Sequence, residues 1–324
     1  MRVFILGDSN VDVTVGWQEA ESQMGRLSPR NRKLLVENML KSRQEREDVE
    51  YYLDESPEEL SQFFNSLSPR VEFGGCGAIK ARTMAMLGHE VVFYSWVGDD
   101  KNGRMILDGL NRAGVDTSHV LVGGKTCETF NLFDPHEGRL AFSFWEPKLD
   151  LAKFTHDAKA ATADKIFLTG AHRIKDPLGY SRLHKAYVFT GSFAAYSAGE
   201  LDRKYAADFS KGILIGNESE VMQLSRVKNP VSGMRALPNR VIIMHGADET
   251  MVKRGSGVIE AKVPPADRSK AKELTGLGDV WEAFFLSAIG DIEAASEKEI
   301  RGAMGIASRA AVHRMMTGEF PVVV

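Results

Sequence analysis

Short apolar runs recur along the chain, each closed by a glycine or a polar residue. "RVFILG" opens the series at residue 2, and "HEVVFYSW", "ETFNLFD", "LAFSFW", "DKIFLTG", "KGILIGN" and "RVIIMHG" follow. Runs this short, bounded by breakers, predict buried strands. Between many of them lie stretches with helical spacing. "AIKARTMAML" precedes Gly88, and "NGRMILDGLNRAG" ends at Gly114, where a helix C-cap is expected. Strands that alternate with helices predict an α/β sandwich with a mostly parallel sheet. Ligands bind such sheets at the carboxyl ends of the strands.

Two stretches break the alternation. Residues 17 to about 70 are rich in charge and helix formers, as in "NRKLLVENMLKSRQEREDVEYYLDE" and "SPEELSQFFNSL". In the second segment Ser56 is the expected N-cap, Pro57 the first helical residue and Glu59 the capping-box partner. The stretch reads as a helical insertion, or as a solvated surface hairpin. The other break, "ETFNLFDPHEGRLAFSFW", predicts a β-hairpin with "DPHEG" as its turn, placed to project from the sheet as part of a lid. The last third predicts a strand and hairpin, a polar loop through Pro264 and Pro265, and two helices.

Composition narrows the function. The chain has 324 residues, 43% of them hydrophobic, enough for one large domain with an appendage. A formal net charge of -3 gives no electrostatic grip on nucleic acid. Cys76 and Cys127 supply neither a disulfide framework nor a metal cluster, and fit a reducing compartment. The first apolar run is too short for a signal-peptide core, and no stretch approaches membrane-span length. A soluble cytoplasmic protein is expected. His172, His184, His245 and His313 lack ligand spacing. A Walker-type loop, a G-x-G-x-x-G fingerprint after the first strand and a Gly-x-Ser-x-Gly elbow are all missing.

The segment that carries chemistry is "ELTGLGDVWEAFF", residues 273 to 285. Gly276, Leu277 and Gly278 can present successive N–H groups, and the helix starting near Asp279 adds its free N–H groups and positive dipole end. Such a turn suits a phosphoryl group, with Asp279 accepting the proton of an attacking hydroxyl. Taken alone, the segment supports a capped helix behind a glycine turn more than a site.

Three further segments resemble the ribokinase-like (PfkB-type) carbohydrate kinase family in their order and spacing. "GDSNVD" ends the first strand, and the resemblance makes Asp12, with Asn10, a holder of substrate hydroxyls. "FGGCGAIKARTMAMLG" resembles the family's glycine signature, with Gly74 and Gly75 letting backbone approach the acceptor. "GILIGNESEVMQL" resembles the N-x-x-E element, with Asn217 near the nucleotide and Glu220 organising a magnesium ion and its waters. A hard cation that keeps its waters needs few protein oxygens. "TGLGDVWEAFF" matches the C-terminal signature, which makes Asp279 the base, Gly276 to Gly278 the anion hole, and Thr275 and Gly246 nucleotide neighbours. The resemblance covers the chain apart from the insertion.

The family implies a three-layer ribokinase-like sandwich: one kinase domain over residues 1–324, with 17–70 and 128–145 as lid elements. It implies phosphoryl transfer from magnesium-bound ATP to a sugar, sugar phosphate, polyol or nucleoside, and allows a homodimer through the lid. Ile79 stands where the family usually carries an Asn that binds a substrate hydroxyl. Lys80 and Arg82 follow, and one reading gives them an anionic substrate; the other makes them solvated helix charges. "MHGADE" and Glu273 depart from the family's nucleotide elements, which leaves ADP as an alternative donor. Two rival functions remain: a kinase homologue that binds sugar or nucleotide without transfer, and an interaction protein whose insertion meets a partner subunit.

Overall fold

The computed structural model describes residues 1–45, 49–53, 58–134, 138–144, 163–169, 187–190 and 212–321. The predicted runs appear as strands β1 (Arg2–Gly7), β5 (Glu90–Val97), β7 (Glu128–Asp134), β8 (Gly138–Phe144), β9 (Lys165–Thr169), β11 (Ile213–Asn217) and β12 (Val241–His245). Seven further strands join them: β2 (Asn10–Gly16), β3 (Val49–Leu53), β4 (Arg70–Gly74), β6 (Asp116–Val122), β10 (Tyr187–Thr190), β13 (Glu249–Arg254) and β14 (Gly257–Lys262).

A nine-stranded sheet runs in the order β14-β13-β12-β11-β10-β9-β1-β5-β6. It is parallel from β12 through β6, with β13 and β14 added as the predicted antiparallel hairpin. Its inner strands β1, β5, β9 and β12 are buried on both faces, which is why they read as unbroken apolar runs. A five-stranded sheet, β3-β8-β7-β2-β4, stands apart from it. The hairpin expected from "ETFNLFDPHEGRLAFSFW" is there, as the antiparallel pair β7 and β8.

The described helices are α1 (Trp17–Gln23), α2 (Pro29–Glu45), α3 (Glu58–Ser66), α4 (Cys76–Met86), α5 (Lys101–Arg112), α6 (Glu218–Ser225), α7 (Pro230–Ala236), α8 (Leu277–Ala288) and α9 (Glu297–Thr317). The stretch from 17 to 70 is not helical throughout, because β3 and β4 form the outer strands of the second sheet. Nor is it wholly solvated: Leu35, Met39, Leu60, Phe63 and Phe64 are buried, and α2 packs on β8. Ser56 and Pro57 lie outside the described residues. The Glu59 carboxylate takes the N–H of Ser28 at 2.5 Å and its hydroxyl at 2.7 Å, and so serves the start of α2.

One expectation needs correction. "GDSNVD" does not simply end the first strand: β1 stops at Gly7, and Asn10 already belongs to β2 in the other sheet. The cause is Asp8. Its carboxylate accepts from the N–H groups of Cys76 at 3.2 Å and Gly77 at 2.9 Å, which ties the chain to the start of α4.

Helix α8 carries an unbroken buried run from Val280 to Leu286. A helix apolar on every side must be covered on every side, and α4, α9 and the main sheet cover this one. No described helix is long and apolar enough to cross a membrane.

Candidate active site

The site forms where the carboxyl ends of β1, β9, β11 and β12 meet the start of α8. Gly276 is the N-cap of α8, with φ of 71°, in the left-handed region that glycine enters without strain. A β-carbon on Gly276 would lie 2.6 Å from Ile79 Cδ1, and one on Gly278 would lie 2.8 Å from His245 Cε1. The turn is therefore packed from both sides on bare backbone. Glu273 orders its approach: Oε1 accepts from Leu274 N at 2.9 Å and Thr275 N at 2.7 Å. Leu277 joins a small apolar cluster with Leu274, Met315 and Phe133 of β7.

Asp279 lies in the first turn of α8, with its side chain 12% exposed. It is ion-paired with Lys80, which reaches across from α4. The same ammonium lies 2.8 Å from Glu282 Oε2 and 3.2 Å from Thr169 Oγ1. The ammonium thus donates to Asp279 and Thr169 and ion-pairs with Glu282. To serve an anionic substrate, Lys80 would have to release one of them. Glu282 Oε1 in turn lies 3.2 Å from His245 Nε2. Burial alone would lower the Lys80 pKa, but the Asp279 and Glu282 carboxylates outweigh it and hold the ammonium charged. Burial pushes Asp279 up, and Glu282 adds to this, against the pull of Lys80. Burial acts the same way on Glu282, but Lys80 and His245 overcome it and hold its carboxyl below the usual range.

At the carboxyl end of β11, Asn217 and Glu220 form a reciprocal capping box at the start of α6. Glu220 N donates to Asn217 Oδ1 at 2.9 Å, and Asn217 N donates to Glu220 Oε2 at 2.8 Å. Burial pushes Glu220 up to about 7, helped by Glu282 and opposed by Asn217 N–H and His245. Among the described residues no group of three or more His, Cys, Asp or Glu forms a cation cage. The donor set fits a magnesium ion that takes most of its ligands from phosphates and water. Gly246 packs tightly: a β-carbon there would meet Glu218 Oε1 at 2.4 Å.

At the start of β2, Asn10 and Asp12 project from one face of the strand. Asn10 Nδ2 donates to Asp12 Oδ1 at 3.0 Å and Thr129 Oγ1 at 2.7 Å, while Asn10 Oδ1 is buried without a partner. Gly74 sits against the Asp12 carboxylate, where a β-carbon would come within 2.0 Å of Oδ2. Gly75, with φ of 93°, turns the chain into α4. Arg82 points elsewhere: its guanidinium lies 5.1 Å from the Phe73 ring centre and 4.0 Å from that of Phe320.

A family model described as "pfkB family carbohydrate kinase" matches residues 65–314. The chain belongs to this family. Its class is therefore that of a kinase, and its solved neighbours share the fold. Adenosine kinase from Sinorhizobium meliloti superposes with a TM-score of 0.72 at 16% identity, over 99% of this chain and 96% of that one. Adenosine kinase from Schistosoma mansoni, in complex with 2-fluoroadenosine, gives 0.74 at 14% identity, over 99% and 97%. A probable sugar kinase from Rhizobium etli CFN 42 gives 0.73 at 13%, over 97% and 93%. Comparison with curated proteins gives no match.

Within this kinase, Asp8, Thr169, His245 and Glu282 join the site without having been expected there. One of them, Glu282, carried a readable signal. It is an acid inside the apolar run of "DVWEAFF", as Lys80 is a base inside "AIKARTMAM". Buried charges must find partners, so each pointed to the other.

Proposed function

We propose that the chain moves the terminal phosphoryl of a magnesium-bound nucleotide, ATP first, to a hydroxyl of a sugar, sugar phosphate, polyol or nucleoside. The start of α8 carries the reading. Helices α5, α6, α7 and α9 are capped by the side chains of Asp100, Asn217, Asn229 and Ser296. The N-cap of α8, Gly276, has no side chain to offer. Free N–H groups and a positive dipole end beside a carboxylate suit a transferring phosphoryl group. Gly276, Leu277 and Gly278 hold its charge, and Asp279 accepts the proton of the acceptor hydroxyl. Asn10, Asp12, Gly74 and Gly75 orient that hydroxyl, and the buried free Asn10 Oδ1 is an acceptor suited to it. Asn217, Thr275 and Gly246 lie toward the nucleotide. Glu220 would hold the waters of the magnesium ion, which supplies charge neutralisation at the phosphates.

The second sheet, with residues 17–70 and 128–145, acts as a lid within a single kinase domain, excluding water that would compete as acceptor. A homodimer through that lid belongs to the same reading, and light scattering that returns a monomer mass removes it. The test of transfer is nucleotide turnover with ATP or ADP across sugars, polyols, nucleosides and sugar phosphates. Asp279→Asn keeps the fold and lowers turnover about 10²–10⁴-fold, the usual range for a general base. Wild-type turnover by this variant would remove Asp279 as the base. The grip of Lys80 on Asp279 favours a second reading, a homologue that binds without transfer. Thermal-shift binding with no turnover across the panel would select it.

A further inference from the structure

Two largely apolar helices each bury a charge against the other. Lys80 of α4 is 1% exposed and Glu282 of α8 is 5% exposed at the side chain. Neither can be left alone in such surroundings, since removing one partner of a buried pair typically costs about 3–5 kcal/mol. A plain structural pair would need only each other. Here the ammonium is shared: it meets Asp279 as well, and it also donates to Thr169 Oγ1. Asp279 and Glu282 are three residues apart on one helix, so both carboxylates face α4.

We propose that Lys80 and Glu282 are positioning residues for the Asp279 carboxylate. Lys80 grips it from the neighbouring helix, and Glu282 draws part of the same ammonium away, so that Asp279 is fixed in place and still accepts a proton. The proposal rests on the reading of Asp279 as the base. The physical logic is a balance. A lone Lys80 would orient Asp279 but drain its basicity, because an opposite charge at contact favours the ionised form. A lone Glu282 would raise its basicity but repel it. Together they give a held carboxylate that keeps its proton affinity.

Other charged groups also face this cluster. Asp8 at the end of β1 acts on Asp279 as a like charge, and His245 of β12 acts on it as an opposite one. Glu220 of α6 acts on the cluster through Glu282, His245 and Lys80. Asp8 and Glu220 are unchanged in the variants below, whereas His245 keeps a neutral amide oxygen at 282 in place of the carboxylate, so its response counts as part of the Glu282 effect.

The experiment follows the Asp279 carboxyl directly, by ¹³C NMR titration of protein labelled at aspartate; the signal is assigned by its loss in Asp279→Asn. Glu282→Gln keeps the shape of the side chain and leaves Lys80 paired to Asp279, so it retains the fold. In this variant the Asp279 midpoint falls by about one pH unit or more, the scale expected for losing a like charge at such range. In Lys80→Gln/Glu282→Gln both charges leave together, and the midpoint rises again relative to the single variant by about as much. If the double variant does not fold, the direction of the Glu282→Gln shift decides alone. A midpoint that stays within a few tenths of a unit in Glu282→Gln, or that rises, overturns the proposal. Turnover of Asp279→Asn is read separately. Wild-type turnover there removes the base, and this proposal with it, while loss of turnover without the opposed shifts removes only this proposal.

Discussion

At the scale of single residues, the site is a problem in charge burial. Asp8 shows it most simply. Burial raises its carboxyl to about 7, against the pull of Gly77 N–H and with the help of the like charge on Asp279. The folded state therefore binds this proton more tightly than the unfolded chain does. The stability it contributes is present below about pH 4 and is lost as pH rises through about 7. Asp8→Asn cannot titrate, and its amide oxygen still accepts one of the two N–H groups. The gap in Tm between wild type and Asp8→Asn should shift steadily against wild type between pH 5 and pH 8, as read by thermal melts in matched buffers. A gap independent of pH would mean that Asp8 does not titrate in this window. Residue identities announced Asp279, Asp12 and the glycine pair, because each matches a motif position. They could not announce Asp8 or Thr169. An Asp after a strand and a Thr at the end of one are ordinary residues until the chain brings α4 against both.

At the scale of elements, strands β1, β5, β9, β11 and β12 of the main sheet were legible because burial makes them continuous apolar runs, whereas β6 at the exposed edge and the four-residue β10 were not. The second sheet was legible only in part. Its β7 and β8 are apolar enough to be seen. Strand β2, "NVDVTVG", alternates apolar residues with the polar ones that line the acceptor side. Strand β3, "VEYYL", hides within a charged stretch. Such strands are defined by the partners they pair with, which local pattern does not reveal. The far end of α8 offers a test at this scale. Lys165 of β9 is buried, and its ammonium donates to Leu286 O at 3.3 Å and Ile289 O at 3.0 Å. A cation on the last carbonyls suits the negative end of the helix dipole, although burial lowers the Lys165 pKa to about 8. Lys165→Met strands those carbonyls in the core and should cost about 1–3 kcal/mol, the usual range for a buried group left unpaired. Urea unfolding at pH 7 measures this. A loss below a few tenths of a kcal/mol would show that water replaces the ammonium there.

At the scale of the molecule, the second sheet is tied to the approach to the Gly276–Gly278 turn. Arg70 of β4 pairs with Glu273, and its Nη1 donates to Lys272 O at 3.0 Å. Arg314 of α9 lies 3.4 Å from Glu72 of β4 and 3.6 Å from Glu273. Glu273 thus has two duties: one carboxylate oxygen holds the second sheet, and the other orders Leu274 and Thr275 ahead of Gly276. Phe133 of β7 adds an apolar contact to the same segment. If the second sheet works as a lid, this junction couples its closure to the shape of the anion turn. Arg70 is partly solvated, its side chain 41% exposed, so Arg70→Ala should cost about 1 kcal/mol of stability or less. Its effect on chemistry should be larger. A lid held less firmly admits water, so nucleotide hydrolysis without acceptor should rise relative to phosphoryl transfer, and KM for the acceptor should rise with it. Both rates come from one assay that counts nucleotide consumed and acceptor phosphorylated. Glu273→Gln should show the same rise in hydrolysis and also lower kcat, because it disturbs the turn as well as the junction. An unchanged ratio in Arg70→Ala would separate the junction from water exclusion and leave Arg70 a surface ion pair.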